Sequence, residues 1–270
     1  MSAAMKLNDF FAEYPDIAIA FSGGTDSSYL LYAAVKAGAN VRPYYVKSAF
    51  QPVFELEDAE RLCRELGVSM RVIECDVLED PVVRSNPADR CYYCKRRLFG
   101  LLTKTAAEDG YRVLADGTNA SDLAGDRPGM KALEEMKVLS PLRMCGLTKD
   151  MIRQASRNAG LFTWNKPAYA CLATRIPTGV SITRDTLKKI EAGEQALFDM
   201  GFSDFRIRVF HDAARIQIPE NQMPRVLAMR ATIRERLKPF FPVVLLDLEE
   251  RPGMALPQDP GEKEQHHESE

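Results

Sequence analysis

At 270 residues, with 46% hydrophobic and 27% charged positions, the chain has an ordinary globular composition. It is long enough for one sizeable core, or for a main domain and a smaller one. A net charge of −2 gives no general attraction to nucleic acid or to a membrane surface, and no apolar stretch approaches the ~20 residues that span a bilayer. Lys6, Asp9 and Glu13 interrupt the region where a signal peptide would carry its apolar core. A cytoplasmic protein is therefore expected, its six cysteines serving as thiols or metal ligands rather than disulfides.

In chain order, the apolar run Ile17–Ala20 reads as a buried strand and Asp26–Ala37 as a helix closed by Gly38. Val41–Val46 is a second strand, Pro52–Leu66 a helix stopped by Gly67, and Val68–Val77 a third strand. A Pro-containing loop leads to a helix over Cys91–Asp109, then Val113–Ala115 forms a fourth strand. Such alternation predicts an α/β fold, a parallel doubly wound sheet with helices on both faces. Thr148 is expected to cap a helix ending at Gly160, and 161–182 reads as a loop. Beyond it the period changes: a helix from Thr183 to Met200, a hairpin of Phe205–Phe210 with Arg215–Ile218, a helix near Met223–Leu237 and a strand Val243–Leu248. These define a smaller C-terminal α+β domain, giving boundaries of 1–165 and 166–250, with 251–270 a polar tail expected to be disordered.

Between the first strand and helix stands Ser22-Gly23-Gly24-Thr25-Asp26-Ser27-Ser28. Glycines here let the backbone bend sharply and approach a ligand. The free amides of the helix start, with the hydroxyls of Ser22, Ser27 and Ser28, form a cradle for phosphate. No Lys follows the glycines, so this is not the Gly-x4-Gly-Lys-Ser/Thr loop. Ligands of parallel sheets bind beyond the carboxyl ends of the strands. Ser22, Lys47 and Asp116 all lie at such ends and are expected to share one crevice.

Cys91 and Cys94 stand three apart at the start of a helix, on one side of it, where the helix dipole and Lys95, Arg96 and Arg97 favour thiolates. A metal or iron–sulfur site, a thiol–disulfide pair and two incidental cysteines all remain open on spacing alone. Cys171, in a Pro- and Gly-bounded loop, is a third candidate ligand; Cys63 and Cys75 read as core residues, and Cys145 leans the same way.

The glycine loop resembles the PP-loop of the ATP pyrophosphatases, which cleave ATP between the α and β phosphates. Four strings then occur in order: Ser22 to Ser28; Arg90-Cys91-Tyr92-Tyr93-Cys94-Lys95; Asp116-Gly117-Thr118-Asn119-Ala120-Ser121-Asp122 with Arg127-Pro128-Gly129; and Lys166-Pro167-Ala168-Tyr169-Ala170-Cys171 through Arg175 and Pro177. Together they resemble the LarE-type sulfur transferases over roughly residues 15–220. The resemblance implies ATP and Mg²⁺ use, with Ser22, Gly23, Gly24, Asp26, Ser27 and Ser28 holding pyrophosphate. Asp116, Thr118, Asn119 and Asp122 would line the nucleotide side, with Arg127 and Lys47 nearby. Cys171 matches the family's sulfur-bearing cysteine, and the added Cys91 and Cys94 match the branch in which three cysteines hold a [4Fe-4S] cluster. The implied substrate is a pyridinium mononucleotide whose carboxylate is adenylated and becomes a thiocarboxylate, with an external sulfide source and a homo-oligomeric, hexameric assembly.

Substrate phosphate needs a cationic pocket. Arg206 and Arg208 alternate along one strand and so share a face, with Arg175 a further candidate; a solvated basic strand is the competing reading. Glu194 is a weaker candidate for metal, and Gln217 stands where the family pattern is acidic. Trp164 is read as a stacking partner or a lid or core residue, and His211 as a surface turn residue. The rival functions are an ATP-dependent tRNA thiolase, an amide-forming synthetase of the NAD or GMP synthetase kind, and a nucleotide sensor without catalysis. Against the first stands the lack of net basicity or an RNA-binding extension; the others leave the three cysteines unexplained.

Overall fold

The computed structural model describes residues 6–122 and 128–251. A short helix, α1 (Leu7–Glu13), precedes β1 (Asp16–Ala20), and a tight turn at Ser22–Gly24 leads into α2 (Thr25–Lys36). Then come β2 (Asn40–Lys47), α3 (Val53–Leu66), β3 (Arg71–Glu74), α4 (Pro81–Ser85), α5 (Arg90–Glu108) and β4 (Leu114–Ala115). α6 (Pro128–Glu135), α7 (Pro141–Met144) and α8 (Lys149–Asn158) complete the first part. The C-terminal part holds α9 (Arg184–Asp199), β5 (Arg206–Phe210), β6 (Ala213–Gln217), α10 (Met223–Ala228), α11 (Arg230–Leu237) and β7 (Val244–Leu246).

The first sheet is parallel, in the order β3-β2-β1-β4. Strand β1 is central, and Ile17, Ala18 and Ile19 are buried on both faces, as the continuous apolar run requires. Leu139 forms a parallel bridge to Ala115, lengthening the edge beside β4. The second sheet pairs β5 with β6 antiparallel and β6 with β7 parallel. Helix α9 lies close against it because Gly193 has no side chain: a Cβ there would stand 3.0 Å from Ile207 and 3.2 Å from Phe241. One apolar core takes Phe50, Val77, Leu78, Val83 and Cys94 from the first part together with Leu172, Ile190, Phe205 and Ile207 from the second.

Helix starts follow their caps: Thr148 accepts from Met151 N at 3.4 Å, and Thr183 from Thr186 N at 3.1 Å. Several elements differ from the sequence reading, α1 and α4 being helices where it gave none. The third strand is only Arg71–Glu74, because its ladder with β2 runs out there and Asp76 caps a 3₁₀ turn instead. The helix expected over Met223–Leu237 is two, divided at Met229 (φ −94°, ψ 11°). Helices α6 and α7, too short to show a period, fall between the fourth strand and Thr148. Among the described residues, no helix is long and apolar enough to cross a membrane. Arg127 and residues 252–270 of the tail lie outside the described residues.

Candidate active site

The turn after β1 is built by its own serines. Gly23 has φ +70°, and a Cβ on it would meet the Glu55 carbonyl at 2.9 Å, so only glycine fits this bend. Gly24 is the N-cap of α2. Ser22 Oγ and Ser27 Oγ share a hydrogen bond of 3.0 Å, the amide of Ser22 donates to Ser27 Oγ, and the amide of Gly24 donates to Ser22 Oγ. Hydroxyls thus occupy amides that an anion would otherwise take. Ser28 is directed inward: it is fully buried and its hydroxyl has no partner among the described residues.

This turn opens on a cavity of about 280 Å³ lined by Ser22, Gly24, Asp26, Ser27, Lys95, Phe99, Asp116, Gly117, Thr118 and Asp122. Asp116, at the end of β4, accepts from Thr118 Oγ1 at 2.5 Å and from Ser140 Oγ at 2.7 Å. Gly117 is in direct contact with the start of α2, since a Cβ on it would lie 2.9 Å from Ser27 N. Asn119 does not line this cavity; its Oδ1 accepts from Ser121 N at 2.7 Å and so shapes the turn. Lys47 is likewise absent from the lining and sits 3.9 Å from Glu74. Asp26 pairs with Lys149 at 2.7 Å. Lys95 lines the cavity without a sequence motif of its own; its signal in the sequence is its place one helical turn after Cys91, on the face that also carries Phe99.

The segment bearing Cys171 is fastened to this loop. Lys166 Nζ donates to the Gly23 carbonyl at 3.2 Å and pairs with Asp58 at 2.6 Å. Thr25 Oγ1 donates to the Thr163 carbonyl at 2.8 Å, and Arg153 donates to the carbonyls of Trp164 and Lys166 at 2.8 and 3.1 Å. Leu172 N donates to the Phe50 carbonyl at 2.9 Å. Beside Lys166, burial pushes Glu55 up to about 7, while Lys166 and Arg175 pull it back. Trp164 stacks with Arg157, whose guanidinium carbon is 5.2 Å from its ring.

Cys91 is exposed, Cys94 buried and Cys171 intermediate. Burial pushes the Cys94 thiol up to about 12, with Cys171 and Cys91 adding to the effect. Burial pushes Cys171 up to about 11, opposed chiefly by the nearby Arg90. Arg90 Nη2 donates to Cys91 Sγ at 3.6 Å. The three thiols therefore belong to one neighbourhood. Among the described residues, no group of three or more His, Cys, Asp or Glu side chains is gathered as closely as the ligands of a single ion. Cys63 is a core residue as read, pushed up to about 12 by burial.

Of the three arginines assigned to phosphate, Arg175 faces inward. It forms a fully buried pair with Glu194, Nε to Oε1 at 3.0 Å and Nη2 to Oε2 at 3.0 Å, and also donates to the Cys171 carbonyl at 3.2 Å. Glu194 additionally accepts from Ile207 N at 2.9 Å and from the Tyr169 hydroxyl. Both side chains are thus occupied with the scaffold around Cys171. Arg206 is buried against Tyr169, its guanidinium carbon 5.0 Å from the ring, and donates to the Ala168 and Phe205 carbonyls. Burial, Arg175 and Arg251 push it down to about 10. Arg208, half-buried, donates to Thr174 O at 3.0 Å and Gln217 Oε1 at 2.8 Å. His211 is exposed in the hairpin turn with φ +55°.

A parallel sheet with β1 central and a glycine-bent phosphate loop at its carboxyl end defines a PP-loop ATP pyrophosphatase. In agreement, residues 16–101 match the family model described as queuosine biosynthesis protein QueC. The chain is 32% identical over 235 residues to pyridinium-3,5-bisthiocarboxylic acid mononucleotide synthase of Lactiplantibacillus plantarum, covering 86% of this chain and 85% of that one. It is 34% identical to an uncharacterized protein of Synechocystis sp. (90% and 92% covered) and 30% identical to one of Methanocaldococcus jannaschii (86% and 89%). The chain belongs to the LarE-type ATP-dependent sulfur transferases.

Proposed function

We propose that this enzyme adenylates the carboxylate of a pyridinium mononucleotide and converts it to a thiocarboxylate. One observation carries this reading: the segment holding Cys171 is bonded onto the phosphate loop, through Lys166 to Gly23 and Thr25 to Thr163. A sulfur atom and an activated acyl group would therefore meet in one crevice. The substrate class follows the name of the L. plantarum relative.

In this scheme the hydroxyls of Ser22 and Ser27 give up the turn's amides to the leaving pyrophosphate, and the Lys95 ammonium takes a further share of its charge. Asp116 and Asp122 line the same cavity, and one or two such carboxylates would suffice beside phosphate oxygens and water to hold Mg²⁺. A substrate carboxylate oxygen attacks the α-phosphorus and expels pyrophosphate. Sulfide then attacks the carbonyl carbon and expels AMP, leaving the thiocarboxylate. In the sacrificial alternative Cys171 attacks instead, and loss of its Cα proton with C–S cleavage leaves dehydroalanine.

Cys91, Cys94 and Cys171, three thiols of one neighbourhood, would suit a [4Fe-4S] cluster, in which each thiolate binds a different iron. Bound there, the cluster would leave one iron free of protein ligands as a seat for exogenous sulfide. Arg90 would offset the thiolate charge from 3.6 Å beside Cys91. A homo-oligomer is part of the proposal and is read by light scattering.

Incubation under anaerobic conditions with ATP, sulfide and the carboxylated pyridinium mononucleotide is expected to release AMP and pyrophosphate; ADP as product would sink the adenylation step. Cys91→Ala, Cys94→Ala and Cys171→Ala are each expected to lower bound iron and sulfide, and bound zinc in the native protein would count against the cluster. Mass spectrometry after repeated turnover separates the sulfur sources, since an intact Cys171 supports external sulfide and a dehydroalanine mass the sacrificial route.

A further inference from the structure

Arg206 and Arg208 stand on β5 among other cations: Arg175, Arg215 and Arg251. The neighbouring carboxylates are already committed. Glu194 pairs with Arg175 at 3.0 Å, Asp204 with Arg251 at 2.8 Å and Asp247 with Arg215 at 3.3 Å. Among the described residues, Arg206 is bonded only to backbone carbonyls, and Arg208 only to a carbonyl and to Gln217. Neither has a carboxylate partner among the described residues. Gln217 lies across the hairpin from Arg206, and its side-chain oxygen accepts from Arg208 Nε at 2.8 Å. Nη2 of Arg208 has no partner among the described residues, so the half-buried guanidinium keeps one edge for a ligand.

We propose that Gln217 sets the charge of this site, holding Arg208 in place through a neutral amide so that Arg208 keeps its charge and open edge for the phosphate monoester of the substrate, with the buried Arg206 adding positive potential behind it. A glutamate would make the same hydrogen bond from a carboxylate, neutralise Arg208 from within and repel an incoming phosphate. A neutral acceptor orients the guanidinium without competing for it. Gln217 is thus a positioning and specificity residue. The inference rests on the mononucleotide reading above.

The test compares the native full chain with Gln217→Glu and Gln217→Met, using calorimetric binding of nicotinic acid mononucleotide and of its phosphate-free riboside. Gln217→Glu is expected to weaken the mononucleotide about ten-fold or more and to leave the riboside unchanged, while melting at or above the native temperature. Gln217→Met, which loses the hydrogen bond but not the site's charge, is expected to weaken the mononucleotide less. A purely structural role would lower stability and affect both ligands alike. Equal mononucleotide binding by native protein and Gln217→Glu overturns the inference while leaving the sulfur-transfer reading intact. Native protein that neither binds the mononucleotide nor forms AMP from ATP overturns both.

Discussion

Arg90 Nη1 donates to the backbone carbonyl of Ala173, 3.0 Å away, and so ties the helix carrying Cys91 and Cys94 to the turn carrying Cys171. The same nitrogen donates to Asn86 Oδ1 at 2.6 Å, and Asn86 Nδ2 donates to the Pro177 carbonyl at 2.8 Å, closing the far side of that turn. Asn86 has φ +57°, a left-handed conformation that asparagine tolerates better than most residues. Arg90→Met strips two buried acceptors of their donor and is expected to cost about 1–3 kcal/mol. Iron and sulfide bound after anaerobic reconstitution should fall with it, and Arg90→Lys should restore part of both. Native iron content in Arg90→Met would show that the tie does not position the thiols.

Lys95 is predicted to act on pyrophosphate. It lines the cavity of the phosphate loop and makes no ion pair among the described residues. Lys95→Met is expected to raise KM for ATP about ten-fold, the loss of a charge-assisted bond to phosphate. The melting temperature should hardly move, and Lys95→Arg should recover part of the affinity. Pyrophosphate release at varied ATP reads this directly.

What the residues disclosed in advance was local. The bend at Gly23–Gly24, the apolar run of β1 and the spacing of Cys91 and Cys94 are each written within a few positions, where periodicity and backbone freedom act. What stayed hidden depends on contacts across the chain. Lys166 reaches Gly23 over 143 positions and Arg90 reaches Ala173 over 83, and no local pattern encodes either. Arg175 reads from sequence as a phosphate candidate, but its buried partner does not, because only the fold brings Glu194 beside it. Strand pairing explains β3 in the same way: its length is fixed by how far β2 runs beside it.

Glu55 makes stability depend on pH. Burial raises its carboxyl from the usual 4.5 to about 7, so the folded protein holds a proton that the unfolded chain has released in between. Its contribution is present in full below about 4.5 and is lost as the pH rises through about 7. Glu55→Gln removes that loss. The variant should match the native protein near pH 4.5 and be the more stable at pH 8, by about 1 kcal/mol after screening at this half-buried site. Thermal melts at the two pH values give the comparison; a constant difference at both would contradict the assignment.

Arg175 and Glu194 test whether the turn around Cys171 rests on a buried ion pair. Glu194 receives two bonds from Arg175, one from Ile207 N and one from Tyr169, and both partners of the pair are essentially without solvent contact. Removing one charge strands the other in the interior, so Glu194→Ala is expected to cost about 3–5 kcal/mol. Glu194→Gln, which keeps the shape and some of the bonds, should cost less. Because Arg175 also donates to the Cys171 carbonyl at 3.2 Å, the turn should loosen with the pair. Alkylation of Cys171 in metal-free protein would then be faster in Glu194→Ala than in the native chain. A metal ligand at Glu194 predicts something else: a chelator would lower the native urea midpoint and leave the variant's unchanged. With the carboxylate already filled by four donors, the midpoint of the cluster-free native protein is expected to be indifferent to chelator.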